Sequence, residues 1–141
     1  MGNGRNLVDI SYIDNVAEAH ILAAENLHST STAAGNAYFI SQGEPVNLWR
    51  WINELFRRLG IGTVEKKISG SSAYMLGTLL EGTYMWFRLE KEPPMTRFLA
   101  EQLARSHWFS IDRARRDLGY EPRLSTAAGL DRLVQWLSKQ D

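Results

Sequence analysis

Apolar and polar positions in the first third of the chain change period at a polar pair. In Leu7–Ile13, Val8, Ile10 and Tyr12 alternate with Leu7, Asp9, Ser11 and Ile13, the period-two pattern of a strand. From Val16 onward, Val16, His20, Ala23 and Leu27 recur at helical spacing, and Ala17, Ile21 and Ala24 widen the stripe. Asp14 or Asn15 stands at the change and is the expected helix cap. Asn15 with Glu18 has the spacing of a capping box. The stretch therefore predicts a strand feeding a helix, an α/β signature.

The same reading continues down the chain. Asn36–Ser41 is a short apolar run suited to a strand. Asn47 is placed to cap a helix whose stripe is Leu48, Trp51, Ile52, Leu55 and Leu59, closed by Gly60 and Ile61 in a Schellman ending. Val64–Ile68 is a further candidate strand. An apolar helix is predicted from about Ser71 to Lys91, stopped by Pro93-Pro94. Thr96 is the expected cap of a helix through Ala104, His107–Ser110 a short strand, and Ser110 the cap of a helix ending at Gly119. Ser125 is the expected cap of a final helix with Leu130, Leu133, Val134 and Leu137 inside. Strand, helix, strand, helix favours a parallel sheet with crossover helices. No repeat, linker or internal boundary is visible, so residues 1–141 are expected to form a single partial domain.

Composition narrows the chemistry. Sixteen basic residues balance sixteen acidic ones, which argues against binding nucleic acid, where a basic surface displaces counterions. With no cysteine, disulfides, thiolate metal sites and cysteine nucleophiles are excluded. His20, His28 and His107 lack metal-ligand spacing, and no metal is expected. No secretory signal is visible. Ser71–Phe87 contains Glu81 and two glycines and is short of the ~20 apolar residues a spanning helix needs. Membrane contact is not expected, and a cytoplasmic location is.

The short motifs read as structure. Gly2-x-Gly4 begins like a dinucleotide fingerprint, but a strand follows it, whereas the fingerprint follows a strand and opens a helix. Gly77-x4-Gly82-Thr83 lacks the lysine of a phosphate loop. No serine sits in G-x-S-x-G. Asp14 lies where α/β proteins place ligands, at a strand's carboxyl end, although capping alone also explains it. Trp86 and Trp108 are candidates for lining an apolar pocket.

VDISYIDNVAEAHILAAENL resembles a segment that follows the catalytic region of extended short-chain dehydrogenases/reductases. It is most similar to the 3β-hydroxysteroid dehydrogenase/isomerase-like branch of this NAD-dependent epimerase/dehydratase superfamily. GNAYFISQGEPVNLWRWINELFRRLG, PPMT at Pro93–Thr96, FSIDRARRDLGYEP and STAAGLDRLVQWL resemble the family's later elements in order. The resemblance implies the C-terminal part of a Rossmann-type fold, with a few short parallel strands and several helices. It implies an oxidoreductase using NAD or NADP.

The family's glycine-rich fold, catalytic serine or threonine and Tyr-x-x-x-Lys pair have no counterpart here. Four places after each tyrosine stand Val16, Gln42, Thr78, Arg88 and Leu124. No catalytic or cofactor-binding residue is therefore carried over, and the chain alone is expected to bind no cofactor and to be inactive. The implied partner is the N-terminal nucleotide-binding half, with an exposed apolar face as an alternative route to a homo-oligomer. The candidate substrate-binding residues are Ser11, Tyr12, Asp14, Asn15, Trp86 and Trp108. Nucleotide-sugar epimerases usually carry Arg-Asp where this chain has Val8-Asp9. That departure favours an apolar hydroxyl or carbonyl compound, sterol- or flavonoid-like. A nucleotide-sugar lobe and a non-catalytic binding module remain the alternatives.

Overall fold

The computed structural model describes residues 2–140. Its elements in chain order are β1 (Leu7–Val8), α1 (Ile13–Ser29), β2 (Val46–Asn47), α2 (Leu48–Arg58), α3 (Gly70–Trp86), α4 (Arg97–Ala104), α5 (Asp112–Leu118) and α6 (Thr126–Leu137). The chain is thus α/β but mostly helical, and among the described residues the sheet is the pair β1–β2. His107 adds a parallel bridge to Val8.

The strands are fewer and shorter than the sequence predicts. β1 ends at Val8 rather than Ile13. Asn36–Ser41, Val64–Ile68 and Trp108–Ser110 join no ladder. A strand is defined by its neighbour's backbone, and side chains take that place in 36–41. Ser11 Oγ donates to Ile40 O at 3.2 Å, and Tyr120 Oη donates to Ser41 O at 2.9 Å. Phe39 stacks on Phe109 with ring centroids 4.0 Å apart.

The caps predicted at Asn47, Thr96 and Ser125 are present: their side chains accept from the amides of Arg50, Leu99 and Ala128. The Schellman ending of α2 is also present, with Ile61 N donating to Phe56 O at 2.9 Å and Gly60 at φ 70°. Three helix ends differ. α5 starts at Asp112 with Ile111, not Ser110, in the cap position and no side-chain cap. α1 starts at Ile13 with no side-chain cap, so neither Asp14 nor Asn15 caps it. α3 stops at Trp86, well before the prolines. There Arg88 takes φ 48° and Leu89 N donates to Tyr84 O at 3.0 Å, a left-handed ending without glycine.

The fold divides into two compact units. One comprises the described residues up to Val8 and Asn47–His107; the other comprises Asp9–Val46 and the chain from Trp108 onward. In the first, α3 packs on α4 through small residues. Ala73, Gly77 and Ala100 are buried, and Gly70 lies against Ala104, whose Cβ is 3.5 Å from where a Gly70 Cβ would sit. Glu81 clamps the pair: Arg97 donates from its backbone N at 2.7 Å and its Nε at 2.6 Å.

The second unit has a core of Ala19, Ala33, Ile111, Ala114, Leu118 and Tyr120. α1 presents Asn15, Ala19, Leu22, Ala23 and Asn26 to it, while Ile21 and Leu27 of the predicted stripe are exposed. The buried face is displaced from the predicted one because its two ends are asparagines. Asn15 Nδ2 donates to Leu124 O at 2.8 Å, and its Oδ1 accepts from the amides of Arg123 and Leu124, both at 3.1 Å. Asn26 Nδ2 donates to Asp117 O at 3.0 Å, and its Oδ1 accepts from Ala33 N at 2.8 Å. Burying Asn15 and half-burying Asn26 is tolerable because their polar atoms are paired.

Candidate functional site

A hollow in the first unit follows from how α3 meets α4. Residues 70, 73 and 77 recur at helical spacing, and their lack of bulk lets α4 approach. A Cβ on Gly77 would stand 2.7 Å from Arg97 N and from the Thr96 carbonyl carbon, so only glycine allows this crossing. The larger neighbours are displaced to the edge of the contact. There Tyr74, Met75, Thr78 and Leu79 of α3 face Ala100, Glu101, Ala104 and Arg105 across an open groove of about 760 Å³.

The groove is apolar along its length and polar at one edge. Met75 and Leu79 are exposed apolar side chains, as a surface that binds an apolar molecule requires. Thr78 Oγ1 donates back to Tyr74 O at 3.0 Å, as threonines inside helices do. Arg105 Nη2 lies 3.3 Å from Glu101 Oε1. Beyond the groove, Arg97 holds the Glu81 carboxyl below its ordinary pKa, chiefly through the backbone hydrogen bond and then through the guanidinium.

The second unit has a smaller hollow of about 300 Å³ lined by Asp14, Asn15, Glu18, Arg123, Leu124 and Arg132. Its charges are paired with each other. Arg132 Nη1 donates to Asp14 Oδ2 at 3.0 Å, and Arg123 Nη2 donates to Glu18 Oε1 at 2.5 Å. The Arg132 guanidinium lies over the Tyr12 ring, 5.6 Å from its centroid.

Of the residues singled out by sequence, Asp14 and Asn15 share this hollow, and Tyr12 supports it through Arg132. Ser11 is exposed and bonded to Ile40 O. Trp108 is half-exposed in the same unit. Trp86 belongs to the other unit, at the end of α3, where it is 83% exposed and does not line the groove. The groove residues on α3 lie inside the stretch read as apolar. Those on α4 were missed, although Ala100 and Ala104, four apart with Glu101 and Arg105 beside them, carried the signal.

The turn between β1 and α1 does not have the make-up of a dinucleotide-binding turn. Between β1 and α1 stand Asp9, Ile10, Ser11 and Tyr12, with no glycine to bring backbone against a pyrophosphate. The first turn of α1 carries Asp14, whose charge opposes a phosphate there. Among the described residues no group of His, Asp and Glu could hold a metal ion. No helix among them is long and apolar enough to cross a membrane.

Comparison with known proteins places this architecture. Residues 1–69 match the family model described as the 3-beta hydroxysteroid dehydrogenase/isomerase family. A 2-alkyl-3-oxoalkanoate reductase of Stenotrophomonas maltophilia is 49% identical over 133 residues, 94% of this chain and 40% of the relative. A decarboxylating sterol-4-alpha-carboxylate 3-dehydrogenase of Mus musculus is 30% identical over 96% of this chain and 38% of the relative. Among solved structures, the crystal structure of gox2253 matches 96% of this chain and 38% of its own length, with 27% identity and a TM-score of 0.64. The chain thus spans about 40% of the length of these relatives. The chain is thus similar to part of the 3-beta hydroxysteroid dehydrogenase/isomerase family and to relatives named as reductases and dehydrogenases.

Proposed function

We propose that this chain is the C-terminal, substrate-binding portion of an NAD(P)-dependent oxidoreductase acting on an apolar hydroxyl or carbonyl compound. The observation that carries the reading is the α3–α4 groove, whose size lies within the 300–1,000 Å³ usual for ligand sites. The share of its relatives that the chain spans supports it as well. Their names specify molecules with a hydrocarbon body, one an oxoalkanoate and the other a sterol carboxylate. The nicotinamide supplies the redox chemistry in such enzymes. This chain's contribution is the groove: Met75, Leu79 and Tyr74 remove the apolar body from water, and the Gly77 crossing fixes the wall spacing.

On this reading the 141 residues work as one substrate-side lobe that needs a nucleotide-binding half to react. Calorimetric titration of the chain with dodecanol and, separately, with NADH tests it. Saturable dodecanol binding with no micromolar NADH binding is expected. Micromolar NADH binding, or no dodecanol binding, would contradict the assignment.

A second reading, a binding module that pairs with another copy of itself, is favoured by the outward face of α1. Ile13 there is 70% exposed, and Ile21 and Leu27 are exposed on the same helix. Light scattering distinguishes it, since a monomer at high concentration eliminates self-association.

A further inference from the structure

We propose that Arg105 is the carboxylate-binding residue of the α3–α4 groove, so that the groove takes an acid with an apolar tail in preference to a neutral ligand. The inference rests on the groove being the substrate site.

The groove has walls of two kinds. Met75 and Leu79 are exposed and offer nothing polar to a ligand. Glu101 near the end of α4 and Arg105, the residue that follows the helix four positions on, are its charged lining. A ligand lying along the apolar wall therefore brings one end to this pair.

Two arginines serve this helix pair, and they are held differently. Arg97 is committed: its Nε donates to Glu81 Oε2 at 2.6 Å, while its backbone N takes the other carboxylate oxygen. Its pKa is raised, first by that side-chain bond. Arg105 has a single ion-pair contact at 3.3 Å, longer than a close charge-assisted bond, and its side chain is 76% exposed. A guanidinium presents five donors in a planar fork matched to a carboxylate. The Glu101 contact engages one nitrogen and leaves the fork able to turn toward a ligand.

Glu101 then acts as an internal competitor. It occupies the cation when the groove is empty and opposes a bound anion, which makes the two residues distinguishable by mutation. Removing Arg105 and removing the Glu101 charge should change acid binding in opposite directions, whereas a purely structural ion pair would give the same loss for both.

The experiment is calorimetric titration of the chain at pH 8 with dodecanoate and with dodecanol, each below its aggregation threshold. Dodecanoate should bind more tightly than dodecanol. Arg105→Gln should weaken dodecanoate about 3- to 10-fold and leave dodecanol unchanged, and Glu101→Gln should strengthen dodecanoate. Equal binding of both ligands, unaffected by Arg105→Gln, would overturn the role of Arg105 while leaving the groove reading intact. Failure of both ligands to bind would remove the groove reading and this inference with it.

Discussion

The two compact units hold themselves together by different means. One is joined by absence of bulk: Gly70, Ala73 and Gly77 meet Ala100 and Ala104, and an open apolar groove runs beside the contact. The other is joined by polar groups at its core and margin: buried Asn15 and half-buried Asn26 stitch α1 to the loops around it, and Tyr120, 0% exposed, reaches Ser41 O. Small-residue contacts leave space at their margins for a ligand. Amide-stitched cores fill their space, and their surface hollow is closed by its own ion pairs. On the proposed function, the first unit is the one that binds an apolar molecule.

The largest effect should come from the filled core. Tyr120→Ala should destabilise its unit by about 3–5 kcal/mol, as for other buried aromatics, read by urea unfolding with hydrogen exchange to locate the loss. Its phenol is also held above the ordinary tyrosine pKa by burial, so it should ionise at higher pH than an exposed tyrosine while the fold persists. Asn15→Ala should cost about 3 kcal/mol, because it strands the backbone groups of Arg123 and Leu124. Neither change should alter ligand binding in the α3–α4 groove. If Asn15→Ala weakened dodecanol binding, the separation of roles would be wrong.

Gly77→Ala is the complementary probe. The new methyl would meet the backbone between Thr96 and Arg97, which cannot move aside as a side chain could. Overpacking should outweigh the gain in helix propensity by about 1–2 kcal/mol. More tellingly, it should weaken dodecanol binding while the Asn15–Leu124 stitching keeps its exchange protection.

The smallest effects are electrostatic. Glu54 accepts from Arg57 and Arg58, bonds that hold its carboxyl at about 2, below the usual 4.5. Glu81 is lowered by Arg97. A depressed carboxylate stabilises the fold above its unfolded pKa and loses that contribution as pH falls through the folded value. Carboxyl NMR should find Glu54 still ionised at pH 3. Wild type and Glu81→Gln should converge in stability on acidification below 4.5. Titration of Glu54 at its ordinary value would break this part of the comparison.

How much of this was legible follows from the range of each signal. Caps at Asn47, Thr96 and Ser125 and the Gly60-Ile61 ending depend on a few adjacent residues, so the sequence shows them. Strands depend on distant neighbours, and 36–41 has strand composition without a ladder. The inward face of α1 was misplaced because asparagine reads locally as a cap, whereas Asn15, buried, and Asn26, half-buried, are held by partners far along the chain. The groove was half legible: the apolar stretch from Ser71 was evident, but its opposite wall on α4 required knowing that Gly77 meets Thr96 and Arg97.

The most direct test is amide NMR of the isotope-labelled chain during titration with dodecanol. Shifts concentrated in Gly70–Leu79 and Ala100–Arg105, with Asp14, Asn15, Arg123 and Arg132 unmoved, are the result this account predicts. Saturable shifts centred on Asp14, Asn15 and Arg132 instead would contradict it.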